Sequence, residues 1–164
     1  MKRTLYLAAL LVPILHGQTP PLNEPMTFTL GSTVTGSAAV ETLTWPANSS
    51  QILKLSTVQV LCPANCTISI ELSANQATAT LVTPVPLRNR VDKSGALAYT
   101  SSNISSAGAQ VLTPYTCSAS VSCSIDLSQI ALAKNYSKLQ SVTLRSSNTT
   151  GTSTMQLTWQ EADQ

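Results

Sequence analysis

LKLSTVQVLCPANCTISIEL, Leu53 to Leu72, is the stretch whose reading decides the fold. After the second cysteine the pattern has period two. Cys66, Ile68, Ile70 and Leu72 share one face, and Thr67, Ser69 and Glu71 share the other, as in a half-buried strand. Ahead of the first cysteine, Leu53 and Leu55 give way to Val58, Val60 and Cys62, a change of parity that predicts a β-bulge near Ser56 and Thr57. Pro63-Ala64-Asn65 separates the two runs. Proline presets the first turn position and asparagine tolerates the left-handed conformation that closes a short loop, so the stretch predicts a β-hairpin with a three-residue turn.

The same grammar extends in both directions. Met26 to Leu30 alternates apolar residues with threonine, Val40 to Trp45 alternates again, and Ala77 to Val82 and Ala96 to Thr100 are further short candidates. Tyr115 to Leu127 reads as a second cysteine hairpin, with Val121, Cys123, Ile125 and Leu127 on one parity. Leu139 to Arg145 and Thr152 to Gln160 read as a terminal pair around Asn148 to Gly151, with Val142 and Leu144 facing the same core as Met155, Leu157 and Trp159. One helical turn is predicted near residues 127–134, because Asp126 and Gln129 have capping-box spacing and Leu127, Ile130 and Ala131 share a helical face. Many short strands with one buried face each are best satisfied by two packed layers. The expected fold is therefore all-β, an antiparallel β-sandwich.

The N-terminus is a short basic lead followed by an apolar run, Leu5 to Leu15, too short to span a bilayer and interrupted by Pro13. This predicts a signal peptide over residues 1–17, a flexible leader over 18–25, and a single domain over 26–164. Cleavage near Gly17 removes Lys2 and Arg3, so the 9 Lys and Arg become 7 against 7 Asp and Glu, and it removes the only histidine, His16. The remaining 164 − 17 = 147 residues suffice to bury about 70% of the unfolded chain's surface in one core. A near-neutral domain lacks the basic footprint that nucleic acid requires. After cleavage no transmembrane segment is expected.

Four cysteines in an exported chain favour disulfides. Of the three pairings, the local ones, Cys62 with Cys66 and Cys117 with Cys123, agree with the turn chemistry. Zinc fits poorly, since the spacings are C-x3-C and C-x5-C and no mature histidine completes a ligand set. No metal or cofactor is expected.

Without histidine the usual serine and cysteine triads cannot form. A pair of acids is the remaining route to chemistry on a glycan, and Glu41, Glu71, Asp92 and Asp126 are the candidates. Isolated acids on polar strand faces are ordinarily solvated, so no catalytic residue is assigned. Arg88, Arg90 and Lys93 form the one charge cluster, a candidate partner-binding loop. Trp45, Tyr99 and Tyr115 are a candidate sugar-stacking platform, although aromatic residues of this kind more often plug a core, as expected for Trp159. Asn48, Asn65, Asn103, Asn135 and Asn148 each begin an N-x-Ser/Thr triplet.

A short turn, then Tyr136, then Val142-Thr143-Leu144, then a closing Met155 to Trp159 strand resembles the end of bacterial immunoglobulin-like extracellular modules, over roughly the last forty residues. The resemblance implies an immunoglobulin-like sandwich in which Tyr136 ties the preceding corner. No cysteine follows Tyr136, so the intersheet bridge of antibody domains is not implied. In composition the chain is also similar to subunits of chaperone-usher pili and spore-coat-type pilins. That likeness implies an N-terminal donor strand, here Met26, Phe28, Leu30 and Val34, and self-association by strand addition. The penultimate Asp163 replaces the aromatic residue usual in those subunits.

The expected function is that of an exported, non-enzymatic structural, adhesive or binding module meeting a protein or glycan at the cell surface. A polymerising subunit is the alternative, and a glycan-processing enzyme the third reading.

Overall fold

A computed structural model describes residues 25–35, 40–73, 80–87, 93–101, 109–110 and 112–162. The expected signal peptide, residues 1–17, most of the expected leader, and Arg88, Arg90 and Asp92 lie outside the described residues. The strands in chain order are β1 (Met26–Thr35), β2 (Val40–Trp45), β3 (Ile52–Leu61), β4 (Cys66–Ser73), β5 (Thr80–Val82), β6 (Val85–Pro86) and β7 (Leu97–Ser101). They are followed by β8 (Ala109–Gln110), β9 (Tyr115–Cys117), β10 (Cys123–Asp126), β11 (Ala131–Leu132), β12 (Gln140–Ser146) and β13 (Thr152–Ala162).

Two antiparallel sheets pack face to face as a β-sandwich. The first has the order β10-β3-β13-β1-β6, with β11 also on β3; the second has the order β5-β7-β2-β12-β4-β8, with β9 also on β4. The core between them follows the predicted parity. Phe28, Leu30, Leu55, Val58, Leu157 and Trp159 from the first sheet meet Leu43, Trp45, Ile68, Ile70, Val142 and Leu144 from the second. Phe28 and Trp159 stack with ring centroids 5.9 Å apart. The parity change in β3 is a β-bulge at Ser56: Thr158 pairs with Thr57 and Trp159 with Leu55, which keeps both halves of the strand facing the core.

The connections differ from the sequence expectation. β3 and β4 lie in different sheets, as do β9 and β10, and β12 and β13. The three expected hairpins are therefore arches that carry the chain across the sandwich. Alternation reports which face of a strand is buried, and an arch buries the same face as a hairpin, so parity does not distinguish them. Among the described strands no two consecutive ones pair with each other. The ladders are long-range, with β1 running antiparallel to β13 from Met26–Glu161 to Thr35–Thr152.

The expected helical turn at 127–134 is also absent. Asp126 Oδ1 accepts the Ser128 N–H at 2.9 Å, Ile130 N–H reaches Leu127 O at 2.9 Å, and Ala131 and Leu132 then pair with Lys54 and Leu53 as β11. An Asp-capped turn returns the chain to the edge of β3 before a second helical turn can form, since one isolated turn lacks the cooperativity to persist.

Both cysteine pairs are bridged locally, Cys62 to Cys66 and Cys117 to Cys123. Because each spans an arch, each bridge joins one sheet to the other. The two arches run side by side. Cys66 and Cys117 are direct cross-strand partners, Ser120 N–H donates to Cys62 O, and Ala119 N–H donates to the Asn65 side chain. The β12–β13 arch joins the same end: Ser147 N–H donates to Thr67 O, and Gly151 adopts φ +69° with its Cα facing Pro63.

Candidate binding face

The outward parity of the first sheet is mostly polar, interrupted by the exposed Leu61 on β3 and Val85 on β6. β1 presents Thr27, Thr29, Gly31, Thr33 and Thr35, and β13 presents Thr152, Thr154, Gln156, Thr158 and Gln160 in register with them. β3 extends the rows, so that Gly31, Gln156, Gln59 and Ser124 form one line across four strands. Thr33, Thr154 and Leu61 form the next line. Gly31 lacks a side chain at the β1 end of its row, and a shallow groove of about 500 Å³ opens beside Gln156 above it. Gln156 is drawn to one side, its Nε2 donating to Thr29 Oγ1 at 3.3 Å, while Thr29 Oγ1 donates to Leu157 O at 3.2 Å. Among the described residues the groove's lining contains no ionisable side chain; Asp126 stands in the adjacent row and Lys54 in the row beyond it.

The residues singled out in the sequence are dispersed. Glu71 and Asp126 emerge on opposite outer faces, Glu71 on the second sheet beside Arg145 Nε at 3.5 Å and Asp126 on the first. Glu41 projects into the core between them, so the described carboxylates share no cleft. The stacking platform separates in the same way: Trp45 and Tyr99 are buried, whereas Tyr115 is exposed on the edge strand β9. Lys93 is exposed at the start of the segment leading into β7. Met26, Phe28, Leu30 and Val34 belong to a strand of the chain's own first sheet, paired along its whole length with β13.

Asn148 is also buried. Its Nδ2 donates to Ser153 Oγ and its Oδ1 accepts from Thr150, so this triplet is part of the arch. At the other end of the sandwich the corner before β12 is tied through the main chain. Asn48 N–H donates to Tyr136 O and Asn135 N–H to Ser49 O, both at 2.8 Å, while the Tyr136 ring is exposed.

Among the described residues two carboxyl groups are buried, with opposite environments. Glu161 is satisfied by Ser94 Oγ, Gly95 N–H and Trp159 Nε1. Glu41 lies between Leu144 and Thr100 in its row and faces Ser32, and neither of its oxygens has a donor in hydrogen-bond geometry among the described residues. Burial pushes its carboxyl up from 4.5 to about 8, and the adjacent Ser32 offsets only part of that effect.

The groove over Gly31 was not singled out in the sequence. Its signal was the polar parity itself, Thr-x-Thr-x-Gly-x-Thr-x-Thr, which reads as the solvated back of a strand until β13 and β3 are placed beside it. Among the described residues no helix is long and apolar enough to cross a membrane, and no group of acidic, cysteine or histidine side chains could hold a metal ion. Comparison with known proteins returns no match among family models, curated proteins or solved structures.

Proposed function

We propose that this protein is an exported, non-enzymatic β-sandwich that works outside the cytosol as a binding or adhesive module, meeting a protein or glycan at the cell surface. The observation that carries this reading is the placement of the disulfides. All four cysteines are consumed in two bridges that each join the two sheets at one end of the sandwich, an arrangement that persists in an oxidising compartment and is reduced in the cytosol. The basic lead and apolar run at residues 1–15 support export independently. The test is expression of the full chain with a C-terminal tag in a bacterial host. A product starting near residue 18, with both bridges closed and located beyond the inner membrane, supports the reading. A full-length, reduced protein retained in the cytosol overturns it.

A second reading, self-association through β1, is favoured by the position of that strand. β1 is the first described strand, and on its far side the described residues cover it over a short stretch, β6 at Phe28 and Thr29 with Leu87 N–H donating to Thr27 O. Exchange of β1 between copies would preserve the β1–β13 ladder. Size-exclusion chromatography of protein with and without residues 18–36 distinguishes the readings: a ladder that vanishes on truncation supports exchange, and a monomer in the intact chain removes it.

A further inference from the structure

We infer that the groove floored by Gly31 is a binding site for a neutral oligosaccharide, laid across the strands of the first sheet. The inference rests on the reading of the protein as an exported binding module and names the ligand class of its candidate face.

Gly31 is the first argument. A glycine in the middle of a ten-residue strand weakens it, and such a residue is ordinarily explained by a positive φ, by tight packing, or by the close approach of something to the backbone. Gly31 has no positive φ, and a Cβ added there would meet its nearest neighbour, Met155 O, at 3.9 Å, an ordinary contact. The two internal explanations are gone. Gly95 and Gly151 show the contrast, since a Cβ at Gly95 would press on the Trp45 ring at 3.3 Å and one at Gly151 on Pro63 at 2.8 Å.

Chemistry and dimensions define what fits. The groove presents primary amides on Gln59 and Gln156 and hydroxyls on Thr33, Thr154 and Ser122, with Leu61 as an exposed apolar surface. Amides and hydroxyls offer paired donors and acceptors to vicinal diols, and an isobutyl group covers the C–H face of a ring. With no ionisable side chain among the described lining residues, nothing in that lining compensates a charged ligand for its lost hydration, whereas a neutral one meets a neutral lining. Four strands at about 4.8 Å spacing give a length of about 14 Å, enough for two or three linked sugar rings. An open, preformed groove on a rigid sheet, without an aromatic platform, implies dissociation constants near the millimolar range.

The test is titration of ¹⁵N-labelled, exported, oxidised protein with neutral hexasaccharides (cellohexaose, maltohexaose, mannohexaose and hexa-N-acetylchitohexaose) and with hexagalacturonate as the anionic comparator. Saturable shifts centred on Gly31, Thr33, Gln59 and Gln156 with at least one neutral probe support the site. Gly31→Val fills the groove while improving strand propensity, so its expected result is at least a tenfold loss of affinity with an unchanged or raised Tm. Gln59→Leu, on the exposed face, should weaken binding without lowering Tm. The site is overturned if no neutral probe shifts these residues, if shifts map elsewhere, if Gly31→Val binds as well as the native chain, or if hexagalacturonate binds equally. None of these outcomes touches the export reading, which is judged by cleavage, location and disulfide state.

Discussion

The indole Nε1 of Trp159 donates to Glu161 Oε1 at 2.9 Å, two residues along the same strand. Both side chains point inward at the end of β13, so one of the two buried tryptophans and a buried carboxyl group satisfy one another. The same carboxylate accepts from Ser94 Oγ and Gly95 N–H, and thereby anchors the segment entering β7 against the opposite sheet.

Removing this acceptor exposes its dependence on three donors. Glu161→Ala should destabilise by about 2–4 kcal/mol, because the Trp159 N–H is left buried without a partner, and Glu161→Gln by about half as much, because one acceptor oxygen remains. Urea denaturation followed by tryptophan fluorescence measures both. Equal stability of Glu161→Ala and the native chain would show that the anchor is dispensable.

Glu41 makes stability depend on pH. Its folded value of about 8 lies above its ordinary 4.5, so between these limits the native state holds a proton that the unfolded chain releases. Stability is full below about pH 4.5 and falls as pH rises toward 8, by on the order of 4 kcal/mol if the whole shift is expressed. Glu41→Gln should abolish most of that slope and be more stable than the native chain at pH 8–9. A native profile flat from pH 5 to 8.5 would contradict the unpartnered burial of this carboxyl.

The two bridges close short loops. Replacing Cys117 and Cys123 together by serine, or Cys62 and Cys66 together, should cost about 2 kcal/mol per bridge from loop-closure entropy. Both arches sit on paired neighbours, Cys66 beside Cys117, so the quadruple variant should lose more than the two pairs added. Thermal unfolding of the three variants decides whether the arches are coupled.

Gly151 and Gly31 should respond oppositely. Gly151→Ala combines a left-handed φ with a 2.8 Å approach to Pro63 and should cost about 1–3 kcal/mol, whereas Gly31→Ala should be neutral or stabilising. Paired denaturation curves measure the difference. A neutral Gly151→Ala would show that the arch shifts without penalty.

Burial was legible in the sequence wherever period two was clean. Leu53, Leu55, Val58 and Val60, including the parity change at Ser56, occupy the core as read, and so do Trp159 and Met155. The favoured cysteine pairing is the one found, because Pro63-Ala64-Asn65 and the turn after Cys117 reverse the chain locally whether they close a hairpin or an arch. Glu41 was not: its parity marked it for the core, but an acid there reads as solvated until Val40 to Trp45 is found at the centre of the second sheet. The short turn after Asp126 was read as helical because capping-box spacing and an Asx turn share the same first residues.

The sequence by itself determined which side of each strand turns inward, since that depends only on local alternation and the transfer of apolar side chains from water. It favoured local bridges through the turn chemistry without fixing the pairing. Only the tertiary structure decided that Cys62–Cys66 and Cys117–Cys123 cross between sheets, that β1 closes against β13, and that Gly31, Gln156 and Gln59 share one row. Partner choice between strands is set by the sum of long-range packing over the whole core, and no window of residues contains that sum.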